Sequence, residues 1–206
     1  MPLYEHDEAF RRGLKPGSLI AGIDEAGRGP LAGPVVAAAV ILPEGLRIEG
    51  VRDSKKVPKA EREALFLEIK ESASAIGIGI VDADDIDRIN ILNATRLAMC
   101  KAVSSMRFKP DVLLIDAVIL PALDIRQVPI IKGDAKSAAI AAASIIAKVT
   151  RDQMMLEYHD KYPEYFFNKH KGYGTKTHID MIKQHGPCPI HRKSFQKVMP
   201  LPLFAG

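Results

Sequence analysis

Four acidic residues of this 206-residue chain each follow a short apolar run of the kind that predicts a β-strand. They are Asp24, Glu25, Asp116 and Asp134. In open α/β sheets, ligands bind beyond the carboxyl ends of the strands, so acids placed at several such ends are expected to converge. The spacing therefore predicts one acidic site assembled from distant parts of the chain.

Converging carboxylates repel one another unless cations neutralise them. All the donors in this set are oxygen atoms, a chemistry that favours Mg²⁺ or Mn²⁺ over Zn²⁺. Two divalent ions would balance four negative charges. A pair of such ions can activate water and stabilise the leaving oxygen in phosphodiester hydrolysis.

Each acid also has an ordinary structural explanation. Asp134 precedes a predicted helix beginning at Ala135, and Asp is a favoured helix N-cap. Asp116 could be a solvated strand end, and Asp24 with Glu25 could form a surface turn. Because side chains alternate along a strand, Asp24 and Glu25 cannot face the same way in a regular strand. We therefore expect the first strand to end or twist at these two residues.

The glycine-rich loop after the first two acids has a second interpretation. Residues 27–32 read Gly-Arg-Gly-Pro-Leu-Ala and fit the loose dinucleotide-binding pattern GxGxxA. That pattern requires a helix to begin at the glycines, so that its N-terminus faces the pyrophosphate. Pro30, Gly33 and Pro34 intervene instead, and a strand-like run follows. The dinucleotide-binding interpretation is rejected.

The elements that would position the acids indicate an α/β fold with a mixed sheet. The first two strands look antiparallel, whereas the alternation of helix and strand over residues 58–134 indicates parallel pairing. Glycines alternating with Ile in the third strand predict that another element packs very close to it. Strands are predicted at residues 19–23, 35–42, 75–81, 111–116 and 128–134, and helices at 4–12, 58–74, 82–89, 90–108, 135–157 and 177–185.

Length and charge favour one globular domain, residues 1–206, with a catalytic core at about 18–157 and a C-terminal basic appendage at about 158–206. Residues 132–197 contain twelve Lys or Arg and six Asp or Glu, so this segment has a net charge of +6. That charge is larger than the net charge of +4 for the whole chain. Such a basic segment is compatible with nucleic acid. Two isolated cysteines, a polar acidic N-terminus and no long apolar run predict a cytoplasmic protein that binds no membrane.

Several motifs together give the chain a resemblance to type 2 ribonuclease H, in particular bacterial ribonuclease HII. The resemblance covers about residues 18–195, in the family's order. One departure is Asp116-Ala117-Val118, where the family commonly has Asp-Gly-Asn. The matching motifs are Gly-Ile-Asp-Glu-Ala-Gly-Arg-Gly-Pro at 22–30, Asp-Ser-Lys at 53–55, the strand ending at Asp116, Lys-Gly-Asp at 132–134 with the helix at 140–149, and His-Lys-Gly-Tyr-Gly at 170–174.

The resemblance implies a ribonuclease H-like fold, a five-stranded mixed sheet flanked by helices, with a C-terminal helical appendage. It also implies that the four acids are catalytic and hold two divalent metal ions, Mn²⁺ or Mg²⁺. The remaining positions it carries over contact substrate: the Gly27, Arg28 and Gly29 loop reads a 2′-hydroxyl, and Tyr173 stacks on a deoxyribose. Lys55, Lys171 and Arg192 are candidate phosphate contacts, with solvated side chains as the ordinary alternative.

The function implied by the resemblance is that of a ribonuclease H, an endonuclease that hydrolyses phosphodiesters by a two-metal-ion mechanism. It would cut the RNA strand of RNA–DNA hybrids and incise on the 5′ side of single ribonucleotides in duplex DNA. The products would carry 3′-hydroxyl and 5′-phosphate ends, serving ribonucleotide excision and RNA primer removal. The alternatives are a hybrid-binding protein with structural acids, and another two-metal nuclease or resolvase on the same fold.

Two features of the basic tail are assigned no chemistry. His170, His178, His185 and His191 have no metal-site spacing, and surface or structural roles are expected for them. The apolar residues at 200–204 could dock on a replication clamp, with a frayed terminus as the alternative. The protein is otherwise expected to be a monomer whose partners are RNA–DNA hybrid and ribonucleotide-containing duplex DNA.

Overall fold

The computed structural model describes residues 2–55, 57–116 and 118–199, and its centre is a five-stranded mixed sheet. The strand order is β3-β2-β1-β4-β5. The β1–β2 and β2–β3 pairs are antiparallel, and the β1–β4 and β4–β5 pairs are parallel. This confirms the predicted architecture. The strands are β1 Ile20–Ala26, β2 Val35–Ile41, β3 Ala75–Val81, β4 Val112–Asp116 and β5 Arg126–Ile130.

Helices cover the sheet, and α4 makes its most extensive contacts with β1 and β2. The helices are α1 Pro2–Arg11, α2 Lys59–Ser72, α3 Ala83–Ser104, α4 Ala138–Lys161, α5 Phe167–His170 and α6 Lys176–His185, with 3₁₀ turns at Gly133–Ala135 and Pro163–Tyr165. No helix in the described ranges has the length and apolar character needed to cross a membrane.

The predicted end of β1 at its two acids was wrong, because the strand continues through them to Ala26. Asp24 and Glu25 remain in the strand because β2 pairs with it through Ala26. On the other side, parallel pairing with β4 stops at Ile23, opposite Ile115. Tertiary pairing on one side therefore overrides the low strand preference of acidic residues. The end of β1 overhangs β4, and this overhang carries both acids.

The close approaches predicted from small residues are confirmed. A Cβ on Gly22 of β1 would lie 2.1 Å from the carbonyl carbon of Ala139, so α4 rests directly on the strand backbone. On the other face of the sheet, α3 approaches β3 equally closely. A Cβ on Gly77 or Gly79 would lie 2.0 or 1.9 Å from a carbonyl oxygen of α3. These glycines thus set the distance between helices and sheet.

The predicted break near residue 90 is present within α3. Asn90 has φ 65° and ψ 162°, which is not helical, so the helix consists of two segments joined at a kink. The second segment ends at Ser104 rather than near residue 108. In α2, Leu65 and Ile69 are buried, whereas Leu67 is 58% exposed.

The start of α4 also differs from the prediction. The helix begins at Ala138, and its N-cap is Ser137, whose hydroxyl accepts a hydrogen bond from the Ile140 amide at 3.3 Å. Asp134 lies in the preceding 3₁₀ turn and is not the cap. The Ser137 hydroxyl also donates to Asp7 Oδ2 of α1 at 3.0 Å. That contact, which crosses most of the sequence, helps to fix where the helix begins.

The C-terminal segment packs against the core through a buried apolar cluster. This segment includes α6, which confirms the helix predicted at residues 177–185. The loop between β1 and β2, residues 27–34, enters the same cluster through Leu31 and Ala32. The other buried members are Met155, Tyr165, Phe167, Ile182, Cys188 and Val198.

Candidate active site

The four predicted acids lie at the ends of neighbouring parallel strands, a set called here the acidic edge: Asp24, Glu25, Asp116 and Asp134. Asp116 is the last residue of β4. Its Oδ1 accepts a hydrogen bond from the Gly133 amide at 2.9 Å, which ties β4 to the turn that carries Asp134. Asp24 and Asp134 are buried, and Asp116 and Glu25 are half-buried.

Mutual repulsion is visible in the proton affinities of these carboxyls. Burial and then the charge of Glu25 raise the pKa of Asp24 well above its usual value, and the charges of Asp116 and Asp134 act in the same direction. Burial also raises the pKa of Glu25 despite the opposing effect of Arg28. Burial, Asp53 and Asp116 raise the pKa of Asp134. Asp116 is therefore close enough to Asp24, Glu25 and Asp134 to disfavour charge on all three.

Protein cations lie beside two of the acids. Arg28 Nη1 donates to Glu25 Oε1 at 3.3 Å, and Lys55 Nζ lies 3.9 Å from Asp134 Oδ2. Burial lowers the pKa of Lys55, but the surrounding carboxylates outweigh it and raise that pKa overall. This edge therefore attracts positive charge.

The described part of the chain contains no group of three or more Asp, Glu, His or Cys side chains already arranged to hold a metal ion. The oxygen-only donors and their unfavourable charge density nevertheless fit a hard divalent cation.

A fifth acid, Asp53, was not identified as part of the site from the sequence. Its carboxyl acts on Asp134, as the raised pKa of Asp134 shows, and its Oδ1 accepts from the Lys55 amide at 3.0 Å. The next residue, Ser54, is buried, and its hydroxyl lies 2.6 Å from the hydroxyl of Ser144 in α4. Asp53 follows no strand, so the strand-end pattern could not find it. The only signal was its place in the Asp-Ser-Lys motif.

The two glycines of the Gly-Arg-Gly loop have different surroundings. Gly27 is buried with φ 102°, and a Cβ there would lie 2.2 Å from Nε of Arg151. That position must be glycine because a buried arginine passes against it, independently of any sugar. Gly29 is exposed, and the nearest atom to a Cβ there would be Tyr173 Cε1 at 3.9 Å. Gly29 and Tyr173 therefore form one open surface.

The expectation that Arg192 could contact phosphate was wrong. Arg192 is fully buried, and its guanidinium binds carbonyl groups of loop 27–34. Lys171 is half-buried and donates to the Asn168 carbonyl. Lys55 has an 80% exposed side chain beside the acidic edge, so of the three it is the best placed to meet a phosphate.

Two of the tail histidines form a buried hydrogen-bonded chain behind Tyr173. His178 Nδ1 lies 2.9 Å from the Tyr173 carbonyl oxygen, and its Nε2 lies 3.0 Å from Nε2 of His191. The Cys188 amide donates to His191 Nδ1 at 2.9 Å. These contacts are all satisfied when both rings are neutral, His191 Nε2 donating to His178 Nε2 and His178 Nδ1 donating to the carbonyl. Sequence spacing gave no signal of this pairing.

The five-stranded mixed sheet flanked by helices is the architecture of a ribonuclease H-like fold. A family model described as Ribonuclease HII matches residues 21–198. The chain belongs to the ribonuclease HII family, and it is accordingly a ribonuclease H.

Curated relatives are similar over most of the chain. The ribonuclease HII of Acetivibrio thermocellus is 60% identical over 197 residues, which are 96% of this chain and 75% of that protein. The ribonuclease HII of Bacillus licheniformis is 58% identical over 192 residues, which are 92% of this chain and 75% of that protein.

Solved structures support the same fold. Ribonuclease H2 of Pyrococcus horikoshii superposes with a TM-score of 0.72 at 30% identity, covering 87% of this chain and 95% of that one. Ribonuclease HII of Archaeoglobus fulgidus, solved in complex with PCNA, gives a TM-score of 0.74 at 26% identity, covering 86% of this chain and 95% of that one. The predicted ribonuclease H-like fold is thereby confirmed.

Proposed function

We propose that this enzyme cuts the RNA strand of RNA–DNA hybrids and incises on the 5′ side of single ribonucleotides in duplex DNA. The products would carry 3′-hydroxyl and 5′-phosphate ends, and the activity would serve ribonucleotide excision and RNA primer removal. The observation that carries this proposal is the acidic edge, where the charges of Glu25, Asp116 and Asp134 all raise the pKa of Asp24. Family membership supplies the substrate class.

The four acids of the acidic edge are the proposed ligands of two divalent ions, Mg²⁺ or Mn²⁺. Such ions supply Lewis-acid stabilisation of the phosphoryl group and activation of water. The protein contributes the rigid placement of the ligands, with Asp24 and Glu25 on the overhang of β1 and Asp116 fixed by the Gly133 amide. We propose direct attack by water with no covalent enzyme intermediate.

Substrate selection is assigned to the open surface formed by Gly29 and Tyr173, with Arg28 beside it. Among the described residues, the amides of Arg28 and Gly29 donate to no other backbone group. Exposed amides without a protein acceptor are suited to bind a ribose 2′-hydroxyl, the group that separates RNA from DNA. Tyr173, 45% exposed, would pack on the sugar that follows, and Lys55 would meet a phosphate.

We also propose how the chain is organised and where it acts. Contacts from Arg192 to loop 27–34 support a single folded unit at 1–206, since they join the proposed core to the proposed appendage. We propose that it acts as a cytoplasmic monomer. The clamp-docking segment at 200–204 lies outside the described residues, and the PCNA complex of the Archaeoglobus relative is what supports that proposal.

One substrate panel tests the proposed function. Four duplexes of one sequence would be compared: all DNA, DNA with one ribonucleotide, an RNA–DNA hybrid, and all RNA, each with Mg²⁺, Mn²⁺ or chelator. We expect cleavage only of the second and third, only with metal, and with a 3′-hydroxyl end on the upstream product. Equal cleavage of the all-DNA duplex would favour a general nuclease or resolvase. Binding of hybrid without cleavage would favour a binding protein.

A further inference from the structure

Two arginines, Arg151 and Arg192, enter the interior behind loop 27–34 without an acidic partner among the residues that the structure describes. Arg192 Nε and Nη2 donate to the Gly33 carbonyl at 2.9 and 2.8 Å. Nη2 also donates to the Gly27 carbonyl at 2.6 Å, and Nη1 to those of Arg28 and Pro30 at 3.0 and 2.8 Å. The guanidinium thus makes five hydrogen bonds to four carbonyls of one loop.

Arg151 of α4 holds the other end of the same loop. Its Nε donates to the Pro34 carbonyl at 2.9 Å, and its Nη2 to the Ala32 carbonyl at 3.1 Å. Its remaining contact, from Nη1 to the Lys171 carbonyl at 3.0 Å, reaches the segment that carries Tyr173. Within the described ranges, no ion pair to a carboxylate involves either Arg151 or Arg192.

An unpaired buried cation is costly, so its retention calls for an explanation. Burial lowers the pKa of Arg192 to about 9, and the nearby charge of Arg151 contributes to that shift. Stability alone would be served as well by apolar packing of similar volume. An apolar side chain could not, however, bind four carbonyl groups in a fixed arrangement. The guanidinium of Arg192 can do so because it is planar and carries five N–H donors.

The loop has no comparable support of its own. In the described structure, no hydrogen bond joins two backbone groups within residues 27–34. The Leu31 amide donates instead to the Gly172 carbonyl, and the Gly33 amide to the Ile190 carbonyl, both at 2.8 Å. Carbonyl groups of the loop accept hydrogen bonds from the two buried arginines. Arg28 and Gly29 remain exposed, and among the described residues their amides have no backbone acceptor.

We infer that Arg192 is a positioning residue for ribonucleotide recognition: by binding the carbonyls of Gly27, Arg28, Pro30 and Gly33, it holds the amides of Arg28 and Gly29 in the arrangement that selects a 2′-hydroxyl. The inference rests on the proposed function of this loop as the reader of the ribose. It assigns Arg192 no contact with substrate. Its effect passes entirely through the loop backbone.

The test replaces Arg192 with Lys, which keeps the charge but loses the planar fork. Lys193→Gln is the matched control, because Lys193 is adjacent and exposed. The readout is equilibrium binding, in Ca²⁺ or chelator, to duplex DNA with and without one ribonucleotide, together with kcat and KM in Mn²⁺. A displacement of about 1 Å far from the chemistry can cost roughly 100-fold. We expect Arg192→Lys to lose about that factor in ribonucleotide preference while remaining folded, and Lys193→Gln to keep the parental preference.

The outcomes separate the inference from the proposed function. If the parent itself does not prefer the ribonucleotide duplex, the proposed function fails first. If the parent prefers it and folded Arg192→Lys does so equally, the inference is overturned. Should Arg192→Lys not fold, Arg192→Gln takes its place, since it retains two amide donors without a buried charge. Loss of folding in both variants also overturns the inference, because the arginine would then support the whole domain rather than the loop.

Discussion

The acidic edge and the interior behind loop 27–34 differ in how well their buried charged groups are compensated by partners. At the acidic edge, several negatively charged carboxylates lie near one another, and burial together with their repulsion raises the pKa of Asp24. Behind the loop, Arg192 makes five hydrogen bonds, and His178 and His191 are linked in a chain between two backbone groups. One region leaves its charges poorly compensated, and the other satisfies its polar atoms.

The two regions should therefore contribute differently to the free energy of unfolding. Uncompensated carboxylates destabilise the metal-free fold, and cations that bind them would recover that cost. A satisfied buried network stabilises the fold only while every member is present, because removal of one leaves others unpaired. Substitutions in the two regions should therefore change stability with opposite sign.

The largest effect is expected at the acidic edge, from Asp116→Asn. The charge of Asp116 raises the pKa of Asp24, Glu25 and Asp134, so its removal should relieve repulsion. The amide oxygen can still accept from the Gly133 amide. We expect kcat to fall on the order of 10³-fold or more, as when a catalytic electrostatic group is lost. Urea unfolding in chelator should show stability unchanged or raised by about 1 kcal/mol.

Asp124→Asn is the matched control, since Asp124 is an exposed acid on the connection between β4 and β5. It should leave both activity and stability at the parental level. Parental activity in Asp116→Asn would remove Asp116 from the catalytic set. A marked loss of stability in the metal-free variant would contradict the assignment of repulsion to this edge.

The next effect is the loss of stability at low pH caused by His178 and His191. Burial, followed by the charge of His170 for one ring and of His178 for the other, lowers the pKa of both His178 and His191 to about 4 from 6.5. Between those values the unfolded chain binds protons that the folded chain does not, so stability falls as pH drops from about 6.5 to about 4. The loss for the two rings together should be on the order of 3 kcal/mol.

His178→Asn should make that decline shallower while lowering stability at neutral pH by about 1–3 kcal/mol, because the partner of His191 is lost. His185→Gln provides the control, as His185 lies exposed at the end of the same helix, α6. Denaturant unfolding at pH 7.5, 6, 5 and 4 measures both changes. An acid decline in His178→Asn as steep as that of the parent would show that the chain does not titrate in this range.

The smallest effect is expected at the surface between the two regions, from Tyr173. If its ring packs on a deoxyribose, Tyr173→Ala should lower kcat/KM for an embedded ribonucleotide by about 10–100-fold, corresponding to about 1–3 kcal/mol. Tyr173→Phe keeps the ring and should retain most of the preference for the ribonucleotide–deoxyribonucleotide junction. Calorimetric titration with Mn²⁺ should give the same metal affinity for all three proteins. Parental cleavage of the embedded ribonucleotide by Tyr173→Ala would leave Tyr173 as a loop residue only.

Elements whose signal lies within a short stretch of sequence were predicted correctly. The third strand was predicted with its observed limits, and the glycines within it predicted the close approach of α3. The first half of α4 is rich in alanine, and these small side chains let the helix lie close to the sheet. Side-chain size and the period of apolar residues are properties of a short window, so a short window is sufficient to recognise them.

The proximity of the four acids was also predicted from the sequence, because each follows an apolar run. Their surroundings were not. Only the structure showed that β1 continues through Asp24, that Ser137 rather than Asp134 caps α4, and that Asp53 acts on Asp134. In each case a partner from another element decided the outcome, and no local preference of the residue itself could have indicated that partner.

The role of Arg192 shows the same limit most clearly. In the sequence it is one basic residue in a basic tail, and charge composition favours a surface position near phosphate. In the fold it is fully buried, and its carbonyl partners lie 159 to 165 residues earlier in the chain. Whether a charge faces solvent or binds buried carbonyls depends on which backbone groups packing leaves without partners. That is decided only when distant segments meet.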